Sequence, residues 1–393
     1  MLHLIEAAAV GGMERLLLAY LATPTGPKTN RGDSVLAVNR GPAGPFMTAL
    51  QDNNVACRVL AHAGPFRLPE RPKTLRQSRA ARLIRRHGPA VLWNRLPDRY
   101  TRDACRATPT GYYDHGLAWY RPPEWAQMQQ WCAHAIACSH ASARMLRLHW
   151  DYTGPIAICP NPDPIIASQT HALTWRGDAP FVFGVAARLT DIKGVILAIE
   201  ALAVLVAQGR DCRLIIAGEG PATAHLRERT ARLAVAERVS WLGRIRDMHA
   251  FYRRIHCLVH PALHDAGSLV LREASSAGCP VVATHVDGMP EWFGNEPAGQ
   301  LVVPRMSRAA YAADYATATM DLPPVCYDPD NDRLTEPKAC FPADIAHALA
   351  RWYDDPAAHA RAAASARRLA TTNGVSIDTY TARLAHQLAT LAA

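Results

Sequence analysis

The sequence lacks the features that mark several protein classes. Its ten cysteines form no C-x-x-C pair and keep no regular spacing, so no zinc ribbon can be drawn; the usage is that of a reduced, cytosolic protein and not of a disulfide scaffold. The N-terminal stretch MLHLIEAAAVGGMERLLLAYLA has no basic leader and carries Glu6, Glu14 and Arg15 within its apolar portion, so it reads as neither signal peptide nor membrane span. The best apolar run elsewhere, Val195 to Ala207, is interrupted by Glu200. The glycine-bearing turn of LIIAGEGPATAHL lacks the Lys-Ser/Thr of a nucleotide-hydrolysing P-loop, and zinc-finger spacing, RNA-recognition aromatics and a basic zipper are missing too. Acidic residues are scarce in one region. Between Arg67 and Arg106 twelve Arg or Lys face only Glu70, Asp98 and Asp103, within a formal net charge of +9. Such a basic face suits nucleic acid, a phosphorylated substrate or an acidic lipid surface, or is simply a solvated arginine-rich helix.

What is present is an ordered chain of 393 residues, 49% hydrophobic and 20% charged, long enough for two domains. In the first half HLIEA, SVLAV, CRVLA, AVLWN, IACS and AIC read as strands, with helices such as Glu14 to Leu21 and Thr74 to Arg86 between them. The second half alternates more cleanly: FVFGVA, a helix over VILAIEALAVLVAQ, LIIAG, a helix over TAHLRERTARLA, VSWLG, CLVHP and PVVAT. This alternation predicts an α/β protein of two Rossmann-like domains with parallel sheets. The expected divisions are 1–165, 166–375 and a C-terminal helix over 376–393 packing back towards the first domain, with the prolines of CPNPDPIIAS marking the boundary. Residues 305–341 lack clear periodicity and are expected to be an insertion or a functional loop, a surface excursion and not an ordinary connection.

Ligands of open α/β sheets collect at the carboxyl ends of strands, where helix N-termini favour anions. Gly11 and Gly12 fall between the first strand and a helix, as a tight turn or a close approach to a phosphate. In GVAARLTDIKGV, Arg188 and Lys193 share a strand-to-helix loop and can hold a diphosphate, the arginine by a forked contact and the lysine as a point charge. LIIAGEGPATAHL repeats the geometry with Gly218 and Gly220. In HDAGSLVLREASSAGCPVVAT, Asp265 lies on a loop and Gly267, Ser268 and Leu269 open a helix that carries Glu273. Buried carboxylates need partners, and these two would bracket the hydroxyls of a nucleotide sugar.

In order, R-x4-K-G, G-E-G-P, two acids separated by seven residues, EASSAGCPVVAT and DGMPE resemble the retaining glycosyltransferase family 4 of GT-B fold. The resemblance runs from GGMER through YYDHG and NPD to VSIDTYTARL, omitting the insertion. It implies two lobes facing a cleft and transfer of a sugar from a nucleotide-diphosphate sugar with retention, without metal or other cofactor. It also implies that Arg188 and Lys193 contact the donor diphosphate, Glu273 the ribose, Gly12 the donor phosphate, and His115 of YYDHG the reacting sugar. The family's first acid, which reaches hydroxyls of the transferred sugar, falls on Asp265; the family usually has Glu there, one methylene longer.

Four other readings compete. His256, His260 and His264 have the spacing of a metal face on a helix, though Pro261 and CLV favour a strand. A glycoside hydrolase would use two carboxylates but has no need of Arg188 and Lys193, and a sugar-nucleotide epimerase would need no acceptor. A nucleic-acid-binding protein would rest on the 67–106 region alone. The preferred expectation is a saccharide acceptor, lipid-linked, of an envelope or secreted polysaccharide, with TLRQSRAARLIRRHG presenting Leu75, Leu83 and Ile84 amid cations to an anionic membrane. The expected place is the cytoplasm, at the inner face of the cytoplasmic membrane.

Overall fold

Short apolar runs form the strands. In a computed structural model describing residues 1–6, 11–22, 34–37, 44–163, 171–293, 297–318 and 320–391, LHLI, SVLA and AVLW become β1 (Leu2–Ile5), β2 (Ser34–Ala37) and β6 (Ala90–Trp93), each buried throughout. Continuous apolar runs rather than alternating ones are what strands covered on both faces require. With β3 (Ala56–Val59), β7 (Thr110–Asp114), β8 (His134–Ala137) and β9 (Ile156–Ile158) they make a parallel sheet in the order β3-β2-β1-β6-β7-β8-β9. A two-residue hairpin, β4 (His62–Ala63) with β5 (Phe66–Arg67), stands apart from it.

The second sheet is built the same way from β10 (Phe181–Ala186), β11 (Cys212–Ala217), β12 (Val239–Gly243), β13 (Cys257–His260), β14 (Val281–Thr284) and β15 (Gly299–Val302). All pairings are parallel, in the order β12-β11-β10-β13-β14-β15. The helix Val195–Ala207 between β10 and β11 is apolar nearly all round, with eight of its residues buried, because other helices and the sheet enclose it. The chain divides into two compact units, Met1–Pro162 with Val375–Ala393, and Asp163–Gly374. The C-terminal helix Ile377–Ala389 therefore belongs to the first unit. Its Tyr380, Leu384 and Leu388 are buried there, and a Cβ on Gly111 of β7 would meet the Leu391 side chain at 2.5 Å.

Strand order reverses once in each sheet, between β1 and β6 and between β10 and β13. At such a switch point the loops at the carboxyl ends diverge and leave a crevice.

Two expectations need correction. The 305–341 segment is not a surface excursion. It holds the helix Arg308–Asp314 and an antiparallel hairpin, β16 (Cys326–Asp328) with β17 (Arg333–Thr335). Its Tyr311, Leu322, Ala339 and Cys340 join the second unit's core, and its ends are tied by bonds between Met306 and Ala339. In the helix Thr74–His87, Leu83 and Ile84 face the interior and are not offered to a membrane; Leu75, 50% exposed, is the apolar residue that stands outward.

Candidate active site

At the switch point of the second unit, the loop after β10 carries Arg188 and Lys193. The Arg188 side chain is exposed, and among the described residues it has no ion-pair partner. Lys193 ends a single tight turn, Asp191–Lys193, closed by a bond from Gly194 N to Asp191 O. Gly194 has φ of +61°, and a Cβ there would lie 2.1 Å from the Pro261 carbonyl oxygen, so only glycine allows this turn to meet the loop after β13. Gly218 serves a related purpose: with φ of +138° it lets the loop after β11 press against Ala187, where a Cβ would lie 1.8 Å from the carbonyl oxygen. Its place is beneath the Arg188 loop.

Across from Lys193 stands Asp265. Its Oδ2 accepts from Lys193 Nζ at 2.9 Å and lies 3.0 Å from His260 Nε2, while its Oδ1 accepts from Gly267 N at 3.3 Å. Burial works against the carboxylate, but the Lys193 ammonium and the His260 ring outweigh it and hold its pKa well below the ordinary carboxylate range. Ser268 Oγ lies 3.5 Å from the same His260 nitrogen. Ser268 occupies the position before the helix Leu269–Ser276 and makes no side-chain cap, leaving the first-turn N–H groups to another acceptor. Glu273, one turn on, is 7% exposed, and its Oε2 is 3.3 Å from the Tyr252 hydroxyl. That hydroxyl is also 3.1 Å from Val270 O, and its single proton serves one acceptor at a time.

The network has a hub that the sequence reading missed. Asp287 of DGMPE is fully buried, with φ of +53°. Its Oδ2 accepts from His264 Nδ1 at 2.6 Å and from Asp265 N at 3.2 Å, and its Oδ1 from Tyr327 N at 2.7 Å. The preference for a strand over a metal-bearing helix at His256, His260 and His264 agrees with β13, and their bonds diverge: His256 Nδ1 accepts from Val182 N, while His260 and His264 serve different aspartates.

The first unit places its predicted residues at the carboxyl edge of its sheet. Gly11 and Gly12 are exposed at the start of the helix Gly12–Ala22, but Gly11 N already donates to Glu14 Oε2 at 2.9 Å. Burial raises the Glu14 pKa against these backbone bonds. His115 follows β7 on a loop held from two sides. Asn94 Oδ1 accepts from His115 N and Leu117 N, and the buried Asp114 accepts from Gly116 N, Ala118 N, Tyr112 and Ser142. The His115 ring stacks on Trp93 at 5.8 Å and 7°, and its Nε2 is buried with no hydrogen-bond partner. Burial pushes its pKa down to about 3, so the ring is neutral near pH 7.

Residues 172–323 match the family described as Glycosyl transferases group 1. That stretch lies wholly within the second unit. The chain is 36% identical over 161 residues to the phosphatidylinositol N-acetylglucosaminyltransferase gpi3 subunit of Schizosaccharomyces pombe, covering 40% of this chain and 35% of that protein. It is 31% identical over 170 residues to the alpha-D-kanosaminyltransferase of Streptomyces kanamyceticus, covering 42% of each. In both cases the match spans well under half of the relative's length. Among solved structures, Anabaena HepE in complex with UDP superposes with a TM-score of 0.70 over 99% of each chain at 17% identity. WaaG, a glycosyltransferase involved in lipopolysaccharide biosynthesis, gives 0.64 over 98% of this chain and 99% of its own at 14% identity. At these identities the likeness is one of fold, the two-domain GT-B type.

Proposed function

We propose that the chain is a retaining, metal-independent glycosyltransferase that moves a sugar from a nucleotide-diphosphate sugar to a saccharide acceptor. The observation that carries this is the meeting of Lys193, Asp265 and the open helix start at Ser268 where β10 and β13 diverge, on the group 1 domain, with the exposed Arg188 on the same loop. Breaking the anomeric bond leaves negative charge on the diphosphate. Arg188, Lys193 and the helix N–H groups are suited to take it, which supplies by protein cations what a metal would otherwise supply. The acceptor oxygen forms the new bond on the face the diphosphate leaves, and its proton passes to the departing phosphate oxygen. A panel of UDP-, GDP- and ADP-sugars, followed by nucleotide release with a crude lipid extract in the presence of a chelator, tests this. Acceptor-dependent release of one nucleotide is the expected outcome; free sugar without acceptor would point to a hydrolase instead.

The acceptor is proposed to be lipid-linked, met at an anionic membrane. Support comes from a groove of about 650 Å³ along the helix Thr74–His87, lined by Arg82, Arg85 and Arg86. Among the described residues these three have no ion-pair partner. Burial first, and then the charges of Arg58 and Arg82, lower the pKa of the nearby Arg79, the mark of a cation cluster short of anions. Phe66 at 75% exposure joins Leu75 as an apolar residue facing outward. Vesicles containing acidic lipid are expected to sediment the protein, and Arg82→Ala/Arg85→Ala/Arg86→Ala to lower the bound fraction several-fold at about 0.1 M salt. Equal binding to neutral vesicles would remove the membrane proposal.

A further inference from the structure

The 305–341 segment lies along the carboxyl edge of the second sheet and touches the donor loops at two places. At one, the Tyr311 hydroxyl donates to Asp191 O at 2.7 Å, and Thr317 donates its N–H to Asp191 Oδ1 at 3.0 Å and its hydroxyl to Oδ2. At the other, Cys326 and Tyr327 of β16 meet Leu263 O and the Asp287 carboxylate. Asp191 is the first residue of the turn that ends at Lys193. Its carbonyl both closes that turn through Gly194 N and accepts from Tyr311, and Ile192 O accepts from Leu263 N at 2.9 Å. The carbonyl and both carboxylate oxygens of Asp191 are therefore bonded, and among the described residues the carboxylate's bonds come from the insertion. An untethered Asp191 carboxylate, two residues from the ammonium, would let the turn rotate and would compete with an incoming anion for Lys193.

We propose that Thr317 is a positioning residue for Lys193: by holding both Asp191 oxygens it fixes the turn from which the ammonium meets a diphosphate, so the insertion sets donor affinity without touching the donor. The inference rests on the reading of Lys193 as the diphosphate cation. It is tested by calorimetric titration of UDP, GDP and ADP, using whichever binds the wild type, into Thr317→Val, Thr317→Ser, Lys193→Ala and the double variant Thr317→Val/Lys193→Ala. Thr317→Val, which removes only the hydroxyl, is expected to weaken binding about five- to tenfold, while Thr317→Ser stays within about twofold. In the Lys193→Ala background the Thr317 change should add little, because the residue it acts through is gone. Wild-type affinity in Thr317→Val, a loss of melting temperature alone, or full additivity with Lys193→Ala would each overturn the inference while the functional reading stood. Unchanged affinity in Lys193→Ala, or binding of none of the three nucleotides, would instead overturn the reading beneath it. Should Thr317→Val not fold, Tyr311→Phe removes the neighbouring bond to Asp191 O and is judged by the same cycle.

Discussion

Lys193→Ala is expected to lower the transfer rate about 10²- to 10³-fold, the size of effect seen when one preorganised group is taken from a developing anion. The ammonium is only partly exposed and its distance to Asp265 Oδ2 is 2.9 Å, so it is already held where a diphosphate would add a second partner. The substitution has a structural cost as well, since it leaves the Asp265 carboxylate with the His260 ring and Gly267 N. Burial raises the Asp265 pKa and Lys193 is the foremost influence lowering it, so the carboxyl should move up towards its ordinary value in the variant. Adding Asp265→Asn removes that unpaired charge. The double variant should regain thermal stability and not activity, which separates the loss of a diphosphate partner from the loss of an ion pair. Nucleotide-release rates with melting curves measure both. A Lys193→Ala enzyme within about threefold of the wild type would refute the role outright.

Many of the strands and the most apolar helix were legible because burial on both faces leaves a local mark, whereas β7, β15 and the helices Pro342–Asp354 and Pro356–Thr372 were not read. The apolar run of Val195–Ala207 and the runs of β10, β11, β13 and β14 needed only the chain itself to be read. The loop residues Arg188, Lys193 and Asp265 were also legible, because strand-to-helix loops at carboxyl ends are where such side chains gather. Their pairing was not. Lys193 and Asp265 are 72 residues apart, and periodicity is silent about which side chains meet across that interval. Asp265 was expected to reach a sugar; the structure adds that its shorter side chain is already bonded through both oxygens to Lys193, His260 and Gly267.

Other misreadings had a signal that was passed over. On the helix Thr74–His87 the buried set is Arg76, Ala80, Leu83 and Ile84, the i, i+4, i+7, i+8 stripe of an inward face, and Leu75 falls off it. Applying that period would have assigned Leu83 and Ile84 to the core. The insertion offered no such signal. It is anchored by single side-chain and backbone bonds to Asp191 and Asp287 and by scattered buried residues, and such an arrangement has no period. The same holds for His115, whose orphaned Nε2 and stacking on Trp93 arise where a loop meets the end of β6 rather than from any repeat.

Asp287→Ala is expected to destabilise the second unit by about 2–4 kcal/mol, because three donors then lose one buried acceptor group. His264 Nδ1 and Asp265 N come from the loop after β13 and Tyr327 N from the insertion's hairpin, and the carboxylate is where they converge. Asn would not rescue it: an amide offers a single acceptor oxygen, and its NH₂ would face an N–H. Glycine makes a sharper comparison. The backbone at 287 has φ of +53°, so Asp287→Gly loses the same three bonds yet escapes the left-handed strain that alanine would bear. Glycine should therefore be the milder change by about 1 kcal/mol, the cost of that conformation for a residue with a Cβ. Urea unfolding followed by tryptophan fluorescence, with UDP titration beside it, measures the ranking wild type, Gly, Ala. Both variants should bind nucleotide more weakly at temperatures where they remain folded, since Asp265 N and the hairpin are no longer pinned together. A loss below about 0.5 kcal/mol in Asp287→Ala, the range of an ordinary surface substitution, would show that the three donors find other acceptors and that Asp287 is no hub.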